Sequence, residues 1–185
     1  MVFSIWNKKG GVGKTALSYS LAKDLDYSMM SNDDSMIEIA YPDRAVIDKN
    51  PILVDNFVYD FGGFSDLSIE PILKGSDYII IPTIADYNGA KKLFDTLEDL
   101  ETMKIPKERI LVVSMRTGDT FKKDDIDSLL DNQYQTFYIP DSKIFQKLFT
   151  EKKSINEIGN TNGLSKYTYR KVLAPYNELL NKLKG

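Results

Sequence analysis

A short glycine- and lysine-rich stretch, residues 7–15 (NKKGGVGKT), has the residue types that hold phosphate groups. Glycines let backbone amides converge on phosphate oxygens, and the first turn of a following helix adds unpaired N–H groups and a positive dipole end. Lys14 can reach terminal phosphates, and the Thr15 hydroxyl can bind Mg²⁺. An ordinary phosphate-binding loop, G-x-x-x-x-G-K-[ST], would have glycine at position 8, where this chain has Lys8. The stretch therefore predicts a phosphate site of unusual form.

A later segment, residues 57–63 (FVYDFGG), supplies a candidate metal ligand. Apolar residues typical of a buried strand lead to Asp60, and Gly62 and Gly63 follow. An aspartate at the end of such a strand can hold Mg²⁺ through a water molecule, since Mg²⁺ prefers oxygen ligands and keeps several waters. The glycine turn can offer a backbone amide to a phosphate, although an isolated strand that ends in Asp-x-Gly is also common in proteins without such a site.

The elements that must position these residues alternate along the chain between apolar strands and amphipathic helices. We predict strands within 1–6, 27–30, 45–63 (one or two), 76–83, 108–115 and 134–141. We predict helices within 15–25, 89–103, 123–132, 142–152 and 169–185, with 160–165 as a loop. This order predicts an α/β fold: a mostly parallel twisted sheet with helices on both faces, in a single domain spanning 1–185.

Composition narrows the chemistry. The 185 residues include no Cys and no His, which excludes disulfides, thiolate metal sites and histidine catalysis. Any catalysis must rest on Lys, Asp and backbone amides, with or without a hard metal ion. No apolar run approaches the ~20 residues of a membrane helix, and no secretory signal is evident, so we expect a cytoplasmic protein.

The charge is unevenly distributed. Residues 24–101 contain 5 basic and 17 acidic side chains, whereas residues 143–185 contain 9 basic and 3 acidic ones. A basic C-terminal quarter in a protein of net charge −3 is typical of a surface that binds polyanions. Lysines that only solvate helix faces would give the same pattern.

Residues 9–15 (KGGVGKT) resemble the deviant Walker A motif of the ParA/MinD family of ATPases, P-loop proteins that dimerise around two ATP molecules. The resemblance implies ATP and Mg²⁺ as cofactors and a homodimer that sandwiches ATP. It also implies that Lys9 crosses the dimer interface and contacts the phosphates bound by the other subunit, as an arginine finger does. Lys8 has no such role, and we expect it to be a solvated surface lysine. The implied nucleotide-binding residues of this stretch are Lys9, Gly10, Gly11, Val12, Gly13, Lys14, Thr15 and Ala16.

Residues 31–35 (SNDDS) fall where the family carries D-x-D. Asp34 matches the second acid, so the resemblance implies that it acts in catalysis with Lys9 and Lys14 by positioning the attacking water or Mg²⁺. Asn32 replaces the first acid, which leaves Asp33 as the alternative if the strand is shifted by one residue. A turn rich in Asn and Asp without any catalytic role is also possible.

The same resemblance extends to the segments around Asp60 and the adenine base. Asp60 takes the place of the Walker B aspartate, a metal ligand together with Thr15, and the turn at Gly62 and Gly63 would offer a backbone amide to the γ-phosphate. Family members often have Asn where this chain has Ser114–Arg116, and Arg116 either stacks on adenine or lies in solvent. Pro140 and Asp141 fall in a segment that lies against the base in the family.

The resemblance implies a short plasmid-partition ParA, with no DNA-reading domain ahead of the loop. Such a protein binds DNA non-specifically in its ATP state, associates with the nucleoid, and is stimulated by a ParB-like centromere-binding adaptor. The basic residues that would bind DNA include Lys147, Lys152, Lys153, Lys166, Arg170 and Lys171.

Three other classes of protein share the loop. A MinD-like membrane-associated regulator would carry a C-terminal amphipathic helix, but the tail YNELLNKLKG has no Phe or Trp and is more typical of a packed helix, so we expect no membrane partner. A tyrosine kinase of the same branch would gather its tyrosines in a flexible tail, whereas Tyr167, Tyr169 and Tyr176 are interleaved with helix-forming residues. A nitrogenase-type iron protein is excluded because it needs cysteines.

Overall fold

The computed structural model describes residues 1–63, 67–117 and 123–185, and a seven-stranded sheet runs through them. The strands are β1 (Val2–Trp6), β2 (Ser28–Ser31), β3 (Ala45–Ile47), β4 (Phe57–Phe61), β5 (Tyr78–Ile84), β6 (Ile110–Thr117) and β7 (Gln135–Pro140). Their order is β3-β2-β4-β1-β5-β6-β7, and every described pair is parallel. The predicted α/β class is confirmed.

Eight described helices cover the two faces of this sheet. They are α1 (Lys14–Leu25), α2 (Ile37–Ala40), α3 (Glu70–Gly75), α4 (Tyr87–Thr102), α5 (Lys123–Leu129), α6 (Ile144–Glu151), α7 (Ile155–Gly159) and α8 (Gly163–Lys184). Two 3₁₀ turns, Leu67–Ile69 and Lys107–Arg109, connect elements.

The core is divided by the sheet because side chains alternate along each strand. On β1, Phe3 and Ile5 join one apolar cluster, which includes residues of α1, α2, α6, α7 and α8. Val2 and Trp6 join the cluster on the opposite face, which includes residues of α3, α4 and α5. Both faces of β1 are buried, which explains its continuous apolar sequence.

The order of the strands indicates where a sheet of this kind would bind a ligand. From β1 the chain moves first to β2 on one side and later to β5 on the other, so β1 lies where the direction of winding reverses. Open parallel sheets bind ligands at the carboxyl ends of strands at such a point. Residues 7–13, between β1 and α1, lie at this position.

The predicted loop at 160–165 is wrong in its second half, because α8 begins at Gly163. The Asn162 side chain accepts a hydrogen bond from the amide of Ser165, the arrangement of a helix N-cap. The asparagine that suggested a loop is the residue that starts the helix.

Three short helices, α2, α3 and α7, were not predicted from the sequence. For α7 a local signal exists: Ser154 and Glu157 form a capping box, in which each side chain accepts a hydrogen bond from the backbone amide of the other residue. The spacing S-x-x-E is readable in the sequence. The helix itself has only five residues, too few to give an amphipathic pattern.

Candidate nucleotide-binding site

The loop between β1 and α1 has the backbone of a phosphate cradle. Gly11 and Gly13 adopt φ angles of +72° and +92°, a region that favours glycine. Gly13 is the N-cap of α1 and provides no side-chain cap, so the first-turn amides stay available for an anion. A side chain at position 13 would also lie 3.2 Å from Met115 Cε.

Asn7 holds this loop against the sheet, a role that the sequence analysis missed. Its side chain is fully buried, accepts a 2.8 Å hydrogen bond from the amide of Lys9 and donates one of 2.8 Å to the carbonyl of Pro82 on β5. A polar residue directly after a buried strand was the available signal. Asn7 therefore fixes the position from which the lysines of the loop extend.

Lys14 lies in the interior of the loop. Its ammonium donates to the carbonyl oxygens of Asn7 (3.2 Å) and Lys9 (2.9 Å). Burial lowers the pKa of Lys14, and the carboxylates of Asp60 and Asp33 oppose this effect. A partly desolvated ammonium in a ring of backbone groups is well placed to bind phosphate oxygens.

Lys9 does not extend into solvent in this single chain. Its ammonium lies 2.7 and 2.9 Å from the two carboxylate oxygens of Asp86, the N-cap residue of α4. Hydrogen bonding from Lys9 is the largest cause of the lowered pKa of Asp86. The role of Lys9 in a partner subunit remains a prediction.

The expectation for Lys8 is wrong. Its ammonium lies 2.6 Å from the carboxylate of Asp99, and its amide donates to the hydroxyl of Thr96, which is buried on α4. Only 21% of the side chain is exposed. Lys8 thus fastens the loop to the middle of α4.

The carboxylate of Asp60, on β4, lies beside the first turn of α1. It is 2% exposed and accepts hydrogen bonds from Ser18 (3.2 Å), from Ser31 (3.4 Å) and from Thr15. Burial raises the pKa of this carboxyl, although those hydrogen bonds and the Lys14 ammonium oppose the rise. A buried carboxylate paired with a threonine hydroxyl suits a hard cation, which would favour the ionised form.

The donor set fits Mg²⁺ rather than a metal held by protein alone. No group of three or more carboxylate, imidazole or thiolate side chains converges within residues 1–63, 67–117 and 123–185. Mg²⁺ in nucleotide sites is usually bound by one or two protein oxygens together with phosphates and waters. Thr15 and Asp60 supply that number.

Gly63 approaches the loop from the side of β4. A Cβ atom at this position would lie 2.9 Å from the carbonyl oxygen of Lys8, a contact that real side chains do not make. The close approach therefore requires glycine and places the backbone of residue 63 beside the cradle. This geometry suits the predicted contact with a terminal phosphate.

In the acidic segment after β2, the side chains of Asn32, Asp33 and Asp34 have three different environments. Asn32 accepts a 2.6 Å hydrogen bond from the amide of Gly62. Asp33 is exposed but close enough to Gly62 and Lys14 to interact electrostatically with the ammonium. Asp34 is also exposed, and it makes no hydrogen bond or ion pair with the described part of the chain. Of the two acids, Asp33 is thus associated with Lys14 in this structure.

A cavity of about 500 Å³ opens beside the loop. It is lined by Gly13, Ala16, Met115, Arg116, Asp141, Ser142, Phe145 and Gln146. Arg116 reaches it from an irregular position in β6: its φ is +57°, and the pairing with β7 shifts between Met115 and Thr117. Such a bulge redirects a side chain.

The predicted base contacts are placed as follows. Ala16, Arg116 and Asp141 line the cavity, whereas Pro140, the last residue of β7, is absent from its lining among the described residues. Phe145 and Gln146 of α6 line it as well and were not foreseen. A phenyl ring and an amide suit an aromatic, hydrogen-bonding ligand such as a nucleobase.

The sequence matches no protein-family model and no curated protein, but its fold is shared by many solved structures. Apo McdA from Cyanothece matches with a TM-score of 0.71 and 17% identity, over 100% of this chain and 99% of McdA. A plasmid partition protein from Borrelia burgdorferi bound to AMPPNP matches with a TM-score of 0.67 and 16% identity, over 96% and 98%. The cell division protein MinD from Aquifex aeolicus matches with a TM-score of 0.65 and 16% identity, over 97% and 96%.

These likenesses define the class of the fold. The chain has the α/β fold of the P-loop ATPases of the ParA/MinD type, with the strand–loop–helix phosphate cradle at the reversal point of the sheet. The resemblance read from residues 9–15 is thereby confirmed at the level of the fold. Because the sequence identities are only 16–17%, the similarity shows that the fold is shared and does not show the roles of single residues.

Proposed function

We propose that this chain is an ATP-dependent, dimerising ATPase of DNA partition. In its ATP state it binds DNA without sequence preference, and a ParB-like centromere-binding adaptor stimulates hydrolysis and release. The observation that carries the proposal is the convergence of Lys14 and Asp60 at the uncapped N-terminus of α1. Among proteins with this fold, the Borrelia burgdorferi partition protein binds AMPPNP and McdA binds ATP.

In this proposal each residue of the site has its own role in phosphoryl transfer. The amides of residues 10–16 and the Lys14 ammonium hold the phosphates, and Phe145, Gln146 and Arg116 enclose the base. Thr15 and Asp60 would hold Mg²⁺, which offsets the charge of the β and γ phosphates. Asp34, or Asp33 in its place, orients the attacking water, and Lys9 of the second subunit stabilises the transferred charge.

The basic C-terminal quarter provides the DNA surface. The exposed cations on α6, α8 and their connections are Lys143, Lys147, Lys152, Lys166, Arg170, Lys171 and Lys184. Lys147 and Lys153 lie 3.5 and 3.8 Å from Glu151, long distances that leave both ammonium groups free to exchange partners. Non-specific affinity for DNA needs only such phosphate neutralisation.

A sedimentation assay with double-stranded DNA at several salt concentrations tests the proposal. With ATP and Mg²⁺, wild-type protein should bind unrelated DNA sequences equally well, and binding should weaken steeply as salt rises. Reversing Lys152 and Lys153 to Glu should lower the salt slope by about 0.9 for each DNA phosphate that is no longer neutralised. Reversing the exposed Lys49 and Lys104 changes the net charge equally and should leave the slope unchanged. Equal slopes for all three proteins would contradict this surface.

A second candidate function is a MinD-like regulator positioned on membranes. Leu164 and Tyr167, 77% and 65% exposed, lie among Lys166 and Arg170 at the start of α8, a mixture that suits a lipid surface. The tail favours the first candidate, because its apolar residues are packed: Leu179, Leu180 and Leu183 are 0–4% exposed. No helix in the described residues is long and apolar enough to cross a membrane. ATP-dependent sedimentation with anionic liposomes, and none with DNA, would favour this second function.

A further inference from the structure

The ion pair between Lys9 and Asp86 joins the lysine of the deviant motif to its own subunit. Both carboxylate oxygens lie within 2.9 Å of the ammonium, and only 19% of the Lys9 side chain is exposed. A lysine that serves a second subunit must leave this position first. The pair therefore opposes the state in which Lys9 would act.

We propose that Asp86 is a positioning residue that holds Lys9 in its own subunit and thereby sets how readily two ATP-bound subunits associate. This inference rests on the proposed function, since it assumes a dimer in which Lys9 reaches across. It adds a restraint within the single chain, made by a residue outside the phosphate cradle.

The backbone around Asp86 is rigidly fixed. Asp86 caps α4, and its Oδ1 accepts the amide of Gly89. Gly89 is pressed against the end of β5, where a Cβ atom would overlap the carbonyl oxygen of Ile84. Because the start of α4 is fixed to the sheet, Asp86 cannot follow Lys9 toward another subunit. The lysine must break the pair instead of carrying it along.

The pair is also weak enough to open. Half of the Asp86 side chain (51%) is exposed, and ion pairs at exposed positions change an equilibrium constant by a factor of about 1.4 to 5. A dimer breaks two such pairs, so the factors multiply. Removing the Asp86 charge should therefore tighten the dimer by up to about 30-fold.

The experiment measures the monomer–dimer equilibrium by sedimentation velocity, with Mg²⁺ and a non-hydrolysable ATP analogue at saturation. Asp86→Asn is the variant of choice because its side-chain oxygen can still accept the Gly89 amide, so the cap of α4 is kept. We expect its dimer Kd to be about 2- to 30-fold lower than that of the wild type. Asp86→Ser, which also caps a helix and lacks charge, should behave alike. Affinity for the analogue, measured at concentrations where the chain is monomeric, should not change.

Two controls separate this role from a structural one. Asp99→Asn removes the carboxylate of the neighbouring pair, Lys8–Asp99, from the same loop and helix, and should leave the dimer Kd within twofold. In a Lys9→Ala background, where we expect dimerisation to be weakened or lost, Asp86→Asn should not restore it, because no lysine remains to be held.

The outcomes that would overturn the inference are distinct. If the wild type dimerises and Asp86→Asn changes the Kd less than twofold, or if Asp86→Asn also strengthens dimerisation in the Lys9→Ala background, Asp86 only caps α4. If neither protein dimerises with the analogue at any concentration, the dimerising function itself fails, and this inference with it.

Discussion

The side-chain oxygen of Asn32 lies 2.6 Å from the amide nitrogen of Gly62 and accepts its hydrogen bond. This bond joins the segment after β2, which contains Asp33 and Asp34, to the segment that follows Asp60 and the end of β4. The asparagine that departs from the family's D-x-D pattern is thus a structural link. It holds Gly62, and through it the adjacent Gly63, beside the phosphate loop.

We expect Asn32→Ala to lower the free energy of unfolding by about 1 kcal/mol, because it leaves a half-buried amide without its partner. Urea denaturation measures this directly. Asn32→Asp keeps the accepting oxygen and should lose less stability. If the alanine variant unfolds at the wild-type urea concentration, the bond does not support the fold.

The neighbouring acids give a prediction about catalysis. If Asp34 orients the attacking water, Asp34→Ala should still bind ATP and dimerise but hydrolyse it at least tenfold more slowly in the presence of the adaptor. Asp33 is the acid that interacts with Lys14 in the single chain, so Asp33→Ala is the matched comparison. Full turnover by Asp34→Ala together with loss in Asp33→Ala would move the catalytic role by one residue.

Lys14→Ala should weaken binding of MgATP at least tenfold. The variant removes the ammonium that donates to the loop carbonyls. A charge-assisted hydrogen bond contributes about 1.5–3 kcal/mol, and a tenfold loss of affinity corresponds to only about 1.4 kcal/mol. Lys8→Ala is the control, since it removes a lysine of the same loop that is directed to Asp99. Isothermal titration calorimetry that shows equal affinity for all three proteins would refute the phosphate site.

The binding of Mg²⁺ should depend on pH through Asp60. Burial raises the pKa of this carboxyl, so the folded chain binds the proton more readily than an unfolded one, while Mg²⁺ needs the ionised form. As the pH falls, the gain in ATP affinity from Mg²⁺ should decline with a midpoint above ~3.9, the value of an ordinary aspartate. Titrations with Mg²⁺ and with EDTA separate this effect from protonation of ATP. Asp60→Asn should lose most of the gain at every pH, and a wild type without the pH-dependent loss would contradict the assignment.

Much of the fold and the cradle could be predicted because their signals are local. Spacing alone places Gly13, Lys14 and Thr15 between a strand and a helix, and the alternation of apolar segments gives the parallel sheet. These patterns depend on neighbours within about one turn or one strand.

The remaining parts of the site depend on contacts between distant segments. Lys8 forms an ion pair with Asp99 of α4, and Lys9 forms one with Asp86, the N-cap of α4. Phe145 of α6 lines the cavity beside the loop. Such pairings follow from the order of strands in the sheet, which local periodicity does not encode. The sequence therefore predicted Lys8 as a solvated lysine and Lys9 as a contact to the partner's phosphates, and it did not predict the ion pair that each makes with α4.

The role of Lys9 across the dimer can be tested by mixing two inactive proteins. Lys9→Ala should keep ATP binding in the monomer, because Lys14 and the loop amides remain. It should lose ATP-dependent dimerisation, hydrolysis or both, since the two facing phosphate clusters would then lack a cation from the opposite subunit between them.

The second protein in the mixture is Lys14→Ala, which binds ATP at least tenfold more weakly but still carries Lys9. In a mixed dimer the Lys9→Ala subunit holds ATP and receives Lys9 from its partner, so one complete site forms. We expect ATPase activity to rise above that of either variant alone and to depend on the mixing ratio, with a maximum near equal amounts. Combining Lys9→Ala with a double variant that lacks both lysines is the control and should restore nothing. If Lys9→Ala alone dimerises and hydrolyses ATP at the wild-type rate, Lys9 has no role in the partner's site, and its pairing with Asp86 is only a structural contact.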